Sequence, residues 1–158
     1  LGEIERVRVI YQKYVEAYPY SALAWGGWAS MEGKVGEAKR ARKIFEIGLG
    51  VMEDSVEGVD GTGNVGEVDV LYKMYIDFEL AQADVDDEDA GASAGTSAST
   101  RVRDIYERLV GKYPLAVKYW VAFAQFEVEN MGRLDEEAKD GEAGVQCVER
   151  AREVYKRG

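Results

Sequence analysis

The chain repeats itself, and that constrains its fold more than any other feature. Displaced by 95 residues, the stretch 6–32 lies on 101–127 without a gap. Arg6, Val7, Arg8, Ile10 and Tyr11 fall on Arg101, Val102, Arg103, Ile105 and Tyr106. Val15, Tyr18, Pro19, Trp25, Ala29 and Glu32 fall on Val110, Tyr113, Pro114, Trp120, Ala124 and Glu127. Internal periodicity of this kind marks architectures in which each unit buries its apolar face only against its neighbours.

Two shorter signatures account for the repeat. One is Arg-x-[Ile/Val]-[Tyr/Phe], at Arg8-Ile10-Tyr11, Arg42-Ile44-Phe45, Arg103-Ile105-Tyr106 and Arg152-Val154-Tyr155. The other is two aromatics, a large apolar residue and a Glu. It stands at Trp25-Trp28-Met31-Glu32, Tyr72-Tyr75-Phe78-Glu79 and Trp120-Phe123-Phe126-Glu127. Three-residue spacing lines these side chains along one helix face. With the aromatic–Glu helix as A and the Arg–Ile–Tyr helix as B, the chain reads B-A-B-A-B-A-B. Arg8 and Arg42 are 34 residues apart, the length of one helix–turn–helix repeat. The stripes are expected to make a shared core in which Trp25, Trp28 and Trp120 bury large areas. Each Glu is expected either to pair with the Arg just downstream, Glu32 with Arg42, Glu79 with Arg103 and Glu127 with Arg152, across the A–B turn, or to stand as a solvated charge at a helix end.

Local signals set the limits. The first B helix should run from about Glu3 to Ala17, because Pro19 cannot continue it. Ser21 and Thr100 are candidate N-caps, the latter for a helix beginning at Arg101. Gly33 and Gly36 suit the turn after Glu32. Stretches 53–66, 84–99 and 131–144 are acidic and small-residue-rich and read as inserted loops in a single domain 1–158. Ser93, Ser97 and Ser99 are candidate phosphorylation sites there, with no motif spacing behind them. The chain opens at Leu1 without a signal-peptide pattern and reads as a piece of a longer protein. Starting on a B helix, it should expose apolar faces at its ends and self-associate when isolated.

Composition removes whole classes of chemistry. There is no histidine, hence no His-dependent triad and few routes to a zinc site. Cys147 is the sole cysteine, so no intrachain disulfide forms, and it reads as a packed thiol. Net charge is −10, opposite to what a phosphate-tracking surface needs. No apolar run approaches membrane-spanning length. Gly61-Thr62-Gly63-Asn64-Val65-Gly66 matches a dinucleotide-binding fingerprint in letters alone, because acidic, strand-poor sequence precedes it. Asp84, Asp86 and Glu88 resemble the start of a calcium loop, but Asp89 and Gly95 occupy positions that need Gly and Glu. No catalytic residue, metal ligand or cofactor is expected, and the chain does not read as an enzyme.

The two signatures together resemble HAT (half-a-TPR) repeats. Tyr75–Gln82 (YIDFELAQ), Thr100–Val110 (TRVRDIYERLV), Lys118–Glu127 (KYWVAFAQFE) and Ala41–Leu49 (ARKIFEIGL) look like the crooked neck-like pre-mRNA splicing factors. The resemblance covers most of the chain outside the inserted stretches. The expected fold is all-α, a right-handed α-solenoid of antiparallel helix pairs. The resemblance implies a nuclear, non-catalytic scaffold of the spliceosome, associated with the NineTeen complex, and a portion from the later repeats. Its partners would be other splicing proteins, with RNA contact indirect or weak and no membrane contact. The alternatives are a HAT scaffold of mRNA 3′-end processing or ribosome biogenesis, or a direct RNA-binding module. For the last, the candidate basic clusters are Lys39, Arg40, Arg42 and Lys43, and Arg101, Arg103 and Arg108.

Overall fold

A computed structural model describes residues 2–57, 65–86 and 98–137, together with Glu153 and Lys156. Six helices follow one another: α1 (Glu3–Ala17), α2 (Ala22–Lys34), α3 (Ala38–Glu57), α4 (Val65–Asp86), α5 (Ala98–Lys112) and α6 (Val117–Glu137). No strand occurs among the described residues. The all-helical reading therefore holds, with α1, α3 and α5 carrying the Arg–Ile–Tyr signature and α2, α4 and α6 the aromatic–Glu signature. The described helices fall into two compact units. The first, Leu1–Ala92, holds α1 to α4, and the second, Ser93–Gly158, holds α5 and α6. Arg152, Tyr155, Cys147, Ser93 and Ser97 lie outside the described residues.

Helix ends follow backbone chemistry, with two corrections. α1 stops at Ala17 as expected, because Pro19 lacks the amide that another turn would need. α2 ends in a Schellman turn: Glu37 N–H donates to the Glu32 carbonyl at 2.9 Å and Gly36 N–H to the Gly33 carbonyl at 3.0 Å. Gly36 sits at φ +91°, a conformation open to glycine and strained for a side chain. Ser21 occupies the N-cap position of α2 but its hydroxyl makes no capping bond. Instead a carboxylate oxygen of Glu67, on α4, accepts from the Ala22 amide at 2.8 Å. A full negative charge from a packed neighbour satisfies the positive end of α2 better than a local hydroxyl. Thr100 does not cap α5 either; the helix already begins at Ala98.

The helices also reach into all three stretches expected to be loops. α3 continues to Glu57, α4 spans Val65–Asp86, α5 starts at Ala98 and α6 runs to Glu137. Between α3 and α4, packing accompanies this extension. Met52 and Val68 are almost fully buried, and the Tyr72 hydroxyl hydrogen-bonds Glu53. Acidic composition suggests loops there, but the apolar period carries on through it. Ser99 likewise belongs to a helix, its hydroxyl donating to the Asn130 side chain at 3.0 Å. Stretches 58–64, 87–97 and 138–144 lie outside the described residues, and with them most of the fingerprint-like and calcium-loop-like sequences.

Residue pairings give the directions of the helices. Arg8 meets Glu32 and Tyr11 faces Gly27, so α1 and α2 are antiparallel. Trp25 packs on Gly48 and Arg40 approaches Glu32, so α2 and α3 are antiparallel. Phe45 stacks on Tyr75 and Arg42 binds Glu79, giving the same relation for α3 and α4. α2 and α4 are parallel, with Gly26 beside Met74 and Gly33 beside Phe78. Thus in the first unit the two aromatic–Glu helices, α2 and α4, stack on each other, as like helices do in an α-solenoid. In the second unit Tyr106 stacks on Phe123 and Arg103 binds Glu127, an antiparallel hairpin.

One contact sets the spacing of α2 and α3. A Cβ added at Gly48 would lie 2.7 Å from Cγ and 2.9 Å from Cβ of Trp25, with the buried indole filling the space a side chain would take. Gly50, two residues on, has nothing within 4 Å of its missing Cβ. Gly48→Ala should destabilise the first unit by about 1–3 kcal/mol through overpacking. Gly50→Ala should stabilise it by about 0.5–1 kcal/mol by removing backbone freedom from the unfolded chain. Urea denaturation of the two variants checks the opposite signs.

Candidate functional site

Every charged signature residue in the described helices takes part in helix packing. Glu32, Glu79 and Glu127 are fully or almost fully buried, the charged side chains of the core among the described residues. Each carboxylate is gripped by two nitrogens of one arginine. Arg8 Nε and Nη2 donate to Glu32 Oε1 and Oε2 at 2.8 and 2.7 Å. Arg42 does the same to Glu79 at 2.6 and 3.2 Å, and Arg103 to Glu127 at 2.5 and 3.0 Å. The geometry is the same three times, a planar fork on a planar carboxylate. The arginine comes from the helix before the glutamate, not from the one after it. Glu32 is held by Arg8, while Arg42, its expected partner, reaches forward to Glu79. An Arg from the downstream helix would bind within a repeat; these bonds instead join one repeat to the next.

The aromatic residues continue the same seams. One turn from the Arg42–Glu79 bridge, Phe45 stacks on Tyr75 with ring centres 4.7 Å apart. One turn from Arg103–Glu127, Tyr106 stacks on Phe123 at 5.3 Å, and Phe126 lies at 5.6 Å. The first aromatic of each A helix has a different task. Trp25 Nε1 donates to the Pro19 carbonyl at 2.8 Å, and Trp120 Nε1 to the Pro114 carbonyl at 2.9 Å. Both tie the indole to the preceding Tyr-Pro turn. Tyr72, third in the set, has no such turn before it and bonds Glu53. Trp25 is buried, whereas Trp28 and Trp120 are only half-buried. Trp28 also donates to Glu32 at 3.3 Å.

The surface offers a groove and two apolar faces. Between α2 and α4 lies an open cavity of about 450 Å³, walled by Ser30, Lys34, Asp77 and Gln82 over Phe45 and Phe78. On α1, Ile10 is 64% and Tyr18 62% exposed, with Ile4 and Tyr14 beside them. Their register partners on α3 and α5, Ile44 and Ile105, are both buried. At the α5–α6 turn, Leu115 is almost fully exposed. Of the two basic clusters seen in sequence, Arg42 and Arg103 are bound to buried glutamates, and Arg101 and Arg108 are engaged with neighbouring groups. Among the described residues no group of acidic or Cys side chains is arranged to hold a metal, and no helix is long and apolar enough to cross a membrane. Nothing in the sequence alone could have located the groove, because it forms between residues of α2, α3 and α4 that only the fold brings together.

The Arg8 guanidinium holds the Glu32 carboxyl below the usual carboxylate range, against the opposing effect of burial; the bond from Trp28 adds to the lowering. The carboxylate in turn raises the Arg8 pKa, so the arginine stays charged throughout. A lowered folded-state pKa contributes stability above the unfolded value, and that contribution is lost as pH falls through the folded one. Glu32→Gln should therefore be less stable than the parent at pH 7, and the gap should narrow as pH falls below about 4. Glu32→Ala, which leaves Arg8 only its exposed partner Glu5, should lower the urea midpoint at pH 7 as well. Both are read from urea midpoints by fluorescence in a Trp120→Phe background, so that the signal reports α1–α4.

Comparison with known proteins adds to this geometry. Residues 1–90 match the family described as the PRP39 N-terminal HAT repeat. Pre-mRNA-splicing factor CLF1 of Yarrowia lipolytica is 30% identical over 96% of the chain, and pre-mRNA-splicing factor cwf4 of Schizosaccharomyces pombe 29% over 98%. In each case the chain spans 19% of the relative's length. Crooked neck-like protein 1 of Homo sapiens is 30% identical over 82% of the chain, covering 12% of that protein. With a matching family model over its first four helices and the Arg–Glu signature recurring in α5 and α6, the chain belongs to the HAT-repeat family and is homologous to the CLF1 and crooked neck-like splicing factors.

Proposed function

We propose that this chain is a protein-binding scaffold segment of a nuclear splicing factor, associated with the NineTeen complex. Its role is positional. Helices locked by buried charge pairs present a fixed surface, and partners held on that surface have raised effective concentration. The observation that carries this reading is the groove between α2 and α4, whose walls are polar and whose floor is aromatic. Such grooves accept a helix or an extended segment of a partner. The relatives' names, pre-mRNA-splicing factors, support splicing over 3′-end processing or ribosome biogenesis. Direct RNA binding has less support, since Arg42 and Arg103 are bound to buried glutamates. No step of chemistry is assigned to the chain.

The exposed apolar stripe on α1 has a second consequence. The residues at Ile10's register, Ile44 and Ile105, are buried in α3 and α5; α1 thus presents a surface suited to another helix, and the isolated chain self-associates through it.

Cross-linking and mass spectrometry on the full-length protein in nuclear extract should place splicing proteins against the α2–α4 face. Recovery of 3′-end processing or ribosome assembly proteins alone would overturn the splicing assignment. Sedimentation of the isolated chain should show concentration-dependent association that Ile10→Ser weakens; a strict monomer at high concentration would rule it out.

A further inference from the structure

Acidic residues outnumber basic ones 30 to 20, yet stretch 34–43 holds Lys34, Lys39, Arg40, Arg42 and Lys43 against one carboxylate, Glu37. The structure separates these cations by role. Arg42 turns inward to Glu79. Lys34, Lys39 and Lys43 are exposed. Arg40 is 53% exposed; its nearest acid is Glu32, at 4.0 Å and already held on two sides by Arg8. Four cations therefore remain turned to solvent at the α2–α3 turn. The opposite face of α3 is anchored by Ala41, Ile44, Phe45 and Leu49, all buried, so the outer face is held rigidly.

Register adds an apolar component. Lys39, Lys43 and Ile47 are four residues apart and form one ridge along α3. Ile47 is 56% exposed at one end, and Val35 is exposed at the turn. Charge is thus flanked by aliphatic surface on both sides.

We infer that the α2–α3 turn and the outer ridge of α3 form a docking surface for a short acidic segment of a partner protein, with apolar residues among its carboxylates. This rests on the scaffold reading and names the chemistry of one partner. Three physical points favour a peptide. The one aromatic of α3, Phe45, is buried, so the ridge has no ring on which a base could stack. Val35 and Ile47 instead offer contacts for aliphatic side chains. A long polyanion would also extend over a chain whose net charge is −10. A short segment meets only the local positive field, since screening confines each charge to about 8 Å at physiological salt.

The test uses the purified chain and a fluorescein-labelled peptide built from Glu, Asp and Leu, followed by anisotropy. The comparison ligands are the same peptide with Gln and Asn for the acids, and a polyuridylate oligonucleotide. The acidic peptide should bind and the amide version should not. Lys39→Glu with Lys43→Glu should weaken binding by about tenfold or more, whereas Lys13→Glu, an exposed lysine on α1, should change it by no more than about twofold. Ile47→Ser should weaken binding without altering its salt dependence. All the substitutions are at exposed positions, and unchanged helical circular dichroism confirms that the variants fold. The inference is overturned if the peptide does not bind, or if Lys13→Glu weakens it as much as the double reversal, which would mean net charge alone. Tighter binding of polyuridylate through the same lysines would make the ridge an RNA surface. Loss of self-association in the double variant without peptide would make the occupant a second copy. Partners recovered from nuclear extract by the double variant report separately on the scaffold reading, which stands if splicing proteins are still captured.

Discussion

A buried carboxylate is tolerable only when its charge is met, and this chain meets it the same way three times. Glu32, Glu79 and Glu127 sit in the core, each clasped through both oxygens by Nε and Nη2 of an arginine one helix earlier. Removing the arginine would leave a buried carboxylate without its forked partner, so the two positions are constrained together. The bridge has direction as well as strength. A planar fork on a planar acceptor fixes the rotation of one helix against the next. The stacked pairs Phe45–Tyr75 and Tyr106–Phe123 lie one turn from their bridges and hold the same register by shape.

Around this device the contacts vary to suit each position. The first aromatic of the A helix is a Trp where a Tyr-Pro turn precedes it, and its indole N–H then satisfies the proline carbonyl. In α4 it is Tyr72, which reaches Glu53 on α3 instead. Trp25 requires a residue without a side chain opposite it, and Gly48 provides one. Glu67 reaches from α4 to the first amide of α2, so a helix end is capped by the helix two places on. These are interlocking requirements between repeats, the physical basis for a stack that acts as a stiff unit.

Stiffness bears on the functional reading. A surface that holds partners in fixed relation needs elements that do not shift when loaded, and bridges buried between helices resist such shifts. In stretch 34–43 the inward Arg42 and the outward lysines differ in their chemistry. Arg42 has the forked geometry suited to a buried carboxylate; Lys39 and Lys43 are flexible, hydrated point charges suited to solvent and to a ligand.

The sequence by itself was enough for the helical class and for most of the aromatic core, because these are written in spacing: a period repeats, and periodic apolar residues must face inward; the family followed from the resemblance of the two signatures to HAT repeats. The sequence also placed the end of α1, where Pro19 lacks the amide, and the glycine turn at Gly36. It misplaced what depends on three-dimensional neighbours. Glu32 was expected to bind Arg42, ten residues on, since sequence proximity is the default guess, but the packed helices bring Arg8 closer. Ser21 had the right type and position for a cap, yet a carboxylate 45 positions away took the bond. The acidic margins of the expected loops proved helical because Met52, Val68 and Tyr72 bury together. Tertiary structure alone decided which charges face inward and which face solvent, because burial is a property of the assembled helices and the spacing of residues along a chain does not contain it.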